Sequence, residues 1–212
     1  MKQEERARRT REKITAAAVK EFGSRCYEGG TMGSICRSGI NKGLIYHYFD
    51  GKDALYLWCV ETSRDLLLTS IRDAMEGHPD ISGTESVSLM IETRVNFGKS
   101  HPMESHILFQ ALMDPPGHLK DRITLLLAPL QEENLKVCRK MLSQLHLRDG
   151  ITAEQGEQYF LMMQQMFNEY FSSPALRDKS MEDRIALHEK RIPEFLEIMI
   201  YGIADKQSNE TP

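Results

Sequence analysis

A chain of 212 residues, 41% hydrophobic and 27% charged, can bury a sizeable core, and it has no apolar run near the roughly 18 residues that a membrane-spanning helix needs. Its net charge of −4 argues against a uniformly basic nucleic-acid binder, and its four cysteines, Cys26, Cys36, Cys59 and Cys138, lie too far apart for a zinc finger or a disulfide framework. The N-terminus is charged and has no apolar signal segment, so the expected location is the cytoplasm, with no membrane partner.

The charge is unevenly placed. The first 50 residues carry ten Lys or Arg against six Asp or Glu, a balance of +4, and the remaining 162 carry 17 against 25, a balance of −8. Such an asymmetry is expected when one end meets phosphate and the other does not. It is concentrated in Lys2 to Lys13, where Arg6, Arg8, Arg9 and Arg11 form either an arm or a helix extension, reading as a phosphate or minor-groove contact or as a solvated charged tail. Arg11 to Phe22 has the spacing of an amphipathic first helix, with Ile14, Ala17, Ala18 and Phe22 inward. Thr31 can N-cap a short second helix from about Met32 to Arg37, and Gly39 supplies the left-handed residue that ends it. Asn41 N-caps a third helix, with Ile40 and Ile45 at hydrophobic-staple spacing. In that helix Ile45, Tyr48 and Phe49 make one apolar stripe, whereas Lys42, Gly43, Tyr46 and His47 fall on another face. One face grips a core; the other, cationic and aromatic with bare backbone at Gly43, suits a recognition helix in a major groove. Lys42 and Lys52 bracket the helix as candidate phosphate contacts.

Past Leu55 the pattern stays helical. A fourth helix runs from Lys52 to about Glu76 and stops at Gly77-His78-Pro79. The capping box Ser82-Gly83-Thr84-Glu85 opens a fifth towards Lys99, and Met103 to Met113 forms a sixth, halted at Pro115-Pro116-Gly117. A seventh spans about Leu119 to Leu147, with a kink or break expected near Leu127 because Pro129 removes one backbone bond. Thr152 to Gln155 is a second capping box before an eighth helix to Phe171. A ninth covers Met181 to Ile203, with Pro193 as a kink or second start. No alternating strand pattern and no internal repeat is present. Glu132, Glu133, Glu154 and Glu157 read as solvated helix faces.

The run Ile35 to Leu55, ICRSGINKGLIYHYFDGKDAL, resembles the helix-turn-helix of TetR-family transcription regulators. Ile35, Gly39, Gly43, Tyr46, Tyr48, Phe49, Lys52 and Leu55 match the family pattern outright, Ser38, Ile40, Asn41, Ile45 and Asp53 are close replacements, and Arg11 to Phe22 is similar to the family's first helix. Departures are Cys26, where the family usually has Gly, Cys36 for a small Ala, and Gly30 and Gly33 for more polar residues. The resemblance implies an all-α chain of about nine helices: a three-helix DNA-binding domain over 1–51, a helical ligand-binding and dimerisation domain over 52–204, and a polar tail over 205–212. It implies DNA contacts from Thr31, Ser34, Asn41, Lys42, Gly43, Leu44, Tyr46, His47 and Lys52. It also implies a homodimer on a palindromic double-stranded operator, most often a repressor released by a small-molecule inducer, with no catalytic residues, cofactor or metal.

In such regulators the last two long helices pair with their symmetry mates. Here Tyr159, Met162, Met163, Met166, Phe167 and Tyr170 form one broad apolar face, and Ile192, Phe195, Leu196, Met199 and Ile203 another. Candidate ligand-lining residues are Trp58, Met90, Arg94, Phe97, His106, Phe109, Gln110, Met113, Met162 and Met166, since small-molecule sites combine apolar walls with a few polar groups. Plain core is the competing reading for each. Arg94 is placed either to pair an anionic ligand or to form a surface ion pair. His101 and His106 have the wrong spacing for two metal ligands on one helical face, and Cys36 reads as an inert small residue more readily than as a redox reporter. The alternative function is a small all-α enzyme or ligand carrier using the C-terminal pocket. Against it stands the absence of a phosphate-cradling Gly loop, a nucleophile elbow or a His-Glu-x-x-His motif.

Overall fold

Caps and breakers delimit the helices much as their chemistry dictates. The computed structural model describes residues 3–176 and 178–203; the polar tail expected over 205–212 lies outside the described residues. Among the described residues there are nine α-helices and no strand: α1 (Gln3–Gly29), α2 (Met32–Arg37), α3 (Lys42–Tyr48), α4 (Gly51–Glu76), α5 (Gly83–Ser100), α6 (Pro102–Met113), α7 (Lys120–Gln144), α8 (Ala153–Ser172) and α9 (Met181–Ile203). Both expected capping boxes form. The Ser82 hydroxyl accepts from the Glu85 amide at 3.2 Å while the Glu85 carboxylate accepts from the Ser82 amide at 2.7 Å. At α8 the Thr152 hydroxyl accepts from the Gln155 amide and the Gln155 side-chain oxygen from the Thr152 amide.

Two open readings narrow and one expectation changes. The basic segment is no separate arm, because α1 already runs from Gln3 and its exposed Arg6, Arg8 and Arg9 extend the first helix. Intrahelical pairs Arg8–Glu12 and Arg9–Glu5 at i,i+4 spacing support that extension. Secondly, α7 continues through Pro129 for 25 residues without a break. Proline leaves the carbonyl of Leu125, four residues earlier, without its helical donor, on a turn where Leu125 is 75% exposed. Thirdly, Glu133 is buried rather than solvated, held by Lys136 at 3.2 Å and Arg72 at 3.5 Å.

The chain forms two compact units. One comprises the chain up to Leu66 together with Gly98–Leu127; the other comprises Leu67–Phe97 and the chain from Ala128 onward. In the first, the inward faces of α1 (Ile14, Ala18, Phe22), α2 (Ile35) and α3 (Ile45, Phe49) are buried with Leu55, Tyr56, Cys59 and Val60 of α4. Phe22 meets Tyr56 edge-on at 5.2 Å. The α6 residues Ile107, Leu108, Phe109, Ala111 and Met113 belong to the same unit and are also buried. The second unit has its own core of Cys138, Met141, Leu142, Met163, Leu196 and Met199, flanked by Val87, Ile91, Phe160, Ile192 and Phe195. There α5 begins so close to α7 that a Cβ on Gly83 would lie 2.3 Å from the Met141 Cα.

Candidate nucleic-acid interface

The helix-turn-helix is built by three local devices. The Thr31 hydroxyl accepts from the Ser34 amide at 3.1 Å to start α2, and Gly39, at φ +89°, turns the chain. The Asn41 carboxamide then accepts from the Gly43 amide at 2.8 Å to start α3. With Ile45 fully buried and Phe49 at 5% exposure, the inward stripe of α3 is fixed and the rest of the helix is turned out. Lys42, Gly43, Leu44, Tyr46 and His47 are all exposed, Tyr46 at 50%. The Lys42 ammonium sits 5.9 Å from the Tyr46 ring centroid, and the His47 ring lies edge-on to Tyr48 at 5.1 Å. Apolar anchoring on one side thus leaves a cation, two polar-tipped rings and a bare Cα on the other, with no competing acid within the helix.

The other expected contacts are more constrained. Thr31 is exposed, but its amide donates to Glu21 at 3.1 Å and its hydroxyl is spent on the cap; Ser34 is half-buried and accepts from Arg37. Lys52 is half-buried, its ammonium 4.2 Å above the Tyr27 ring. Tyr27 in turn donates to the Asp53 carboxylate, which also faces His118 Nε2 at 3.2 Å. Burial, then this bond, pushes the Tyr27 phenol up to about 12, and the same bond with the His118 and Arg122 charges holds Asp53 below the usual carboxylate range. Sequence reasoning missed this Tyr27–Asp53–His118 cluster, since its members are 26 and 91 residues from Tyr27 and no local pattern marks them. It fastens the end of α1 to the start of α4.

The ten ligand-lining candidates divide between the two units. Trp58, His106, Phe109, Gln110 and Met113 lie in the first, and Met90, Arg94, Phe97, Met162 and Met166 in the second. In the first unit the polar candidates are already engaged. Trp58 Nε1 donates to Thr15 at 2.9 Å and its ring carries the Arg11 guanidinium at 3.7 Å; His106 Nδ1 is 3.1 Å from the Gly23 carbonyl. The Gln110 oxygen accepts from the Tyr27 amide and the Tyr56 hydroxyl, and its amide nitrogen donates to Glu28, so this side chain ties α6 to α1 and α4. In the second unit Met90 and Phe97 are buried, whereas Met162 and Met166 are 58% and 60% exposed and join an outward stripe instead of an interior wall. Arg94 makes no surface ion pair: its Nη2 donates to Asn134 at 2.6 Å and its Nε is sequestered without a partner.

An all-α body carrying a helix-turn-helix with an outward cationic, aromatic second helix defines a DNA-binding protein of the helix-turn-helix class. Residues 14–58 match the family model of bacterial regulatory proteins of the tetR family. Solved transcription regulators share the fold of nearly the whole chain. The fatty acid degradation regulator FadR from Bacillus halodurans aligns with a TM-score of 0.66 at 12% identity, covering 90% of this chain and 94% of that one. A gamma-butyrolactone receptor (ArpA-like protein) gives 0.60 at 17% identity, covering 95% and 91%. A bacterial regulatory protein in the tetR family from Rhodococcus RHA1 gives 0.58 at 16% identity, covering 92% and 98%. At these identities the likeness is one of fold. No curated protein matches the sequence. Among the described residues no helix is long and apolar enough to cross a membrane.

Proposed function

We propose that the chain is a homodimeric transcription regulator: a repressor that holds a palindromic operator through residues 1–51 and is released by a small molecule bound in 52–204. The observation that carries the DNA-binding part is the outward face of α3, where Lys42, Gly43, Leu44, Tyr46 and His47 are exposed together on a helix locked by Ile45 and Phe49. Asn41, Thr31 and Ser34 set the entry to that face, while Lys52 and the exposed Arg6, Arg8 and Arg9 supply positive charge for phosphates. Binding chromosomal DNA places the work of such a protein in the cytoplasm.

Dimerisation is supported by a stripe that its own unit leaves bare. Tyr159, Met162, Met166 and Tyr170 recur at i, i+3, i+7 and i+11 on α8 with exposures of 41% to 60%, and Ile198 and Tyr201 of α9 are 65% and 57% exposed. Scattered apolar residues on a surface are ordinary, but four in register on one helix are the pattern of a helix-pairing face. A dimer also lets two recognition helices read two half-sites about one helical turn, or a multiple of it, apart. For effector binding, the support is that a solved protein of this fold is a gamma-butyrolactone receptor. The experiment is a gel shift with the intergenic DNA upstream of the coding sequence at several salt concentrations. Specific binding with a log–log salt slope of about −0.9 per phosphate contact is expected; absence of specific binding across the flanking DNA refutes the regulator reading.

A further inference from the structure

From Arg8 to Ser24, one face of α1 borders a groove of about 900 Å³. Its other walls come from α4, through Trp58, Thr62 and Leu66, and from the first turn of α6, through Met103 and Glu104, all within the first unit. Sixteen residues of helix rise about 24 Å, so the groove is long, and its volume falls in the range of small-molecule sites, about 300 to 1,000 Å³. Its apolar lining is Ala16, Val19, Trp58, Leu66 and Met103, aliphatic but for one ring. The charges along it are unevenly matched. Glu12 is neutralised by Arg8 at 3.0 Å. The Arg11 guanidinium rests over the Trp58 ring at 3.7 Å and lies 5.5 Å from that of Phe49, yet it donates to no acceptor among the described residues. The rings hold the group in place while its N–H donors stay unspent. Glu104 enters at the other end: its neighbour Met103 abuts Gly23, where a Cβ would lie 2.8 Å from the Met103 Cα, about 18 Å along α1 from Arg11. One end of the groove is thus cationic and the stretch beyond it apolar.

We propose that this groove binds one molecule of a long-chain aliphatic carboxylate, its head on Arg11 and its chain laid along Ala16, Val19 and Leu66 towards Met103. The planar guanidinium fork matches a carboxylate with two parallel hydrogen bonds, and exposed Lys20 adds positive charge on the same face of α1. A cationic head would meet Arg11 with like charge, and a neutral head would satisfy Arg11 no better than water does. The occupant is a free monomer and not a bilayer, because a chain lying lengthwise against a helix has left the bilayer. The site belongs to the unit that carries α3 and is independent of effector binding in the second unit. Of the ten ligand-lining candidates, Trp58 alone borders it.

Trp58 is the chain's single tryptophan, so its emission reports on the groove itself. The test titrates dodecanoate and dodecyltrimethylammonium, equal in tail and opposite in charge, below their micelle concentrations against the full-length protein and the variants Arg11→Gln and Ala16→Phe. The wild type should bind dodecanoate about 10-fold or more tightly than the ammonium compound. Arg11→Gln should weaken dodecanoate about 10-fold and leave the ammonium compound no weaker, a charge-selective loss that a purely structural role does not produce. Ala16→Phe, which fills the groove from an exposed position, should weaken both. If Arg11→Gln loses its helicity by circular dichroism, Ala16→Phe and the wild-type charge preference carry the test. No Trp58 response to dodecanoate, equal affinity for the two probes, or unchanged affinities in both variants overturns the proposal. So does a response to phosphatidylglycerol vesicles without one to monomeric dodecanoate. No DNA is present in these titrations, so their failure leaves the regulator reading to the gel shift.

Discussion

Cys26 is the single non-glycine residue with positive φ among the described residues, at φ 58° and ψ 177°, inside the segment Gln3–Gly29 where the helix is kinked. That region of backbone space is essentially reserved for glycine, and holding another residue there costs on the order of 1 to 3 kcal/mol. The conformation is enforced by its surroundings: the Cys26 carbonyl accepts from the Gly30 amide at 3.0 Å, and the next residue, Tyr27, donates its amide to Gln110 at 3.0 Å. Cys26→Gly should therefore stabilise the protein, although the greater freedom of glycine in the unfolded chain returns roughly 0.5 to 1 kcal/mol of the gain. The net expectation is about 1 kcal/mol, or about 2 to 4 °C in Tm for a chain of this size. Since Cys26 is half-buried, the fair reference is Cys26→Ala, which removes the sulfur but keeps the strain. Denaturant or thermal unfolding of all three proteins measures it. In an ordinary helix Ala→Gly costs up to about 1 kcal/mol, so the expected result is a reversal of sign, with Gly above Ala. A Gly variant less stable than the Ala variant would refute the reasoning.

Further outcomes follow from single contacts. Gly83→Ala, which would set its Cβ 2.3 Å from the Met141 Cα, should destabilise by about 3 kcal/mol or more, because the Cβ is held rigidly by its own Cα and the atom it meets is backbone, so neither can swing aside; an unchanged melting temperature contradicts this. Asp53 has a folded pKa below its unfolded value, so its contribution is present above the unfolded pKa near about 4 and is lost as pH falls through the lower folded value; the stability of Asp53→Asn should fall less steeply below about pH 4 than that of the wild type, and parallel acid limbs would argue against the Tyr27–Asp53 bond. Met166→Glu places a charge in the middle of the exposed α8 stripe and should shift the protein to monomer in analytical ultracentrifugation with its helicity retained; an unaltered dimer removes α8 from the interface.

Much of this fold could be read from the sequence because its helix ends are chemically marked. The two capping boxes, the Asn41 cap and the Gly39 turn are local devices, each complete within four residues, and each forms as expected. Spacing fixed the inward residues of α3 for the same reason. What escaped were facts that depend on distant chain. Gln110 looks like a polar residue on an apolar helix, and only the fold brings Tyr27, Glu28 and Tyr56 to its two ends. Gly30 departs from the family pattern, and its reason lies in how the chain folds back at the kinked end of α1: a Cβ there would lie 2.6 Å from the Phe22 ring. Met162 and Met166 share spacing with Met163 and Phe167, but the packing of α8 turns the first pair outward and the second pair into the core, a distinction that an apolar face too broad for one partner leaves open.

The central claim is that the outward face of α3 holds DNA, and the double variant Lys42→Ala/Tyr46→Ala tests it most directly. Both side chains are exposed, so the melting temperature and oligomeric state should stay near wild type. Loss of one phosphate or base contact costs about 1 to 3 kcal/mol, so affinity for the upstream operator measured by fluorescence anisotropy should fall about 100-fold or more. Affinity retained within a few-fold, in a variant that folds and assembles as the wild type does, would contradict the account.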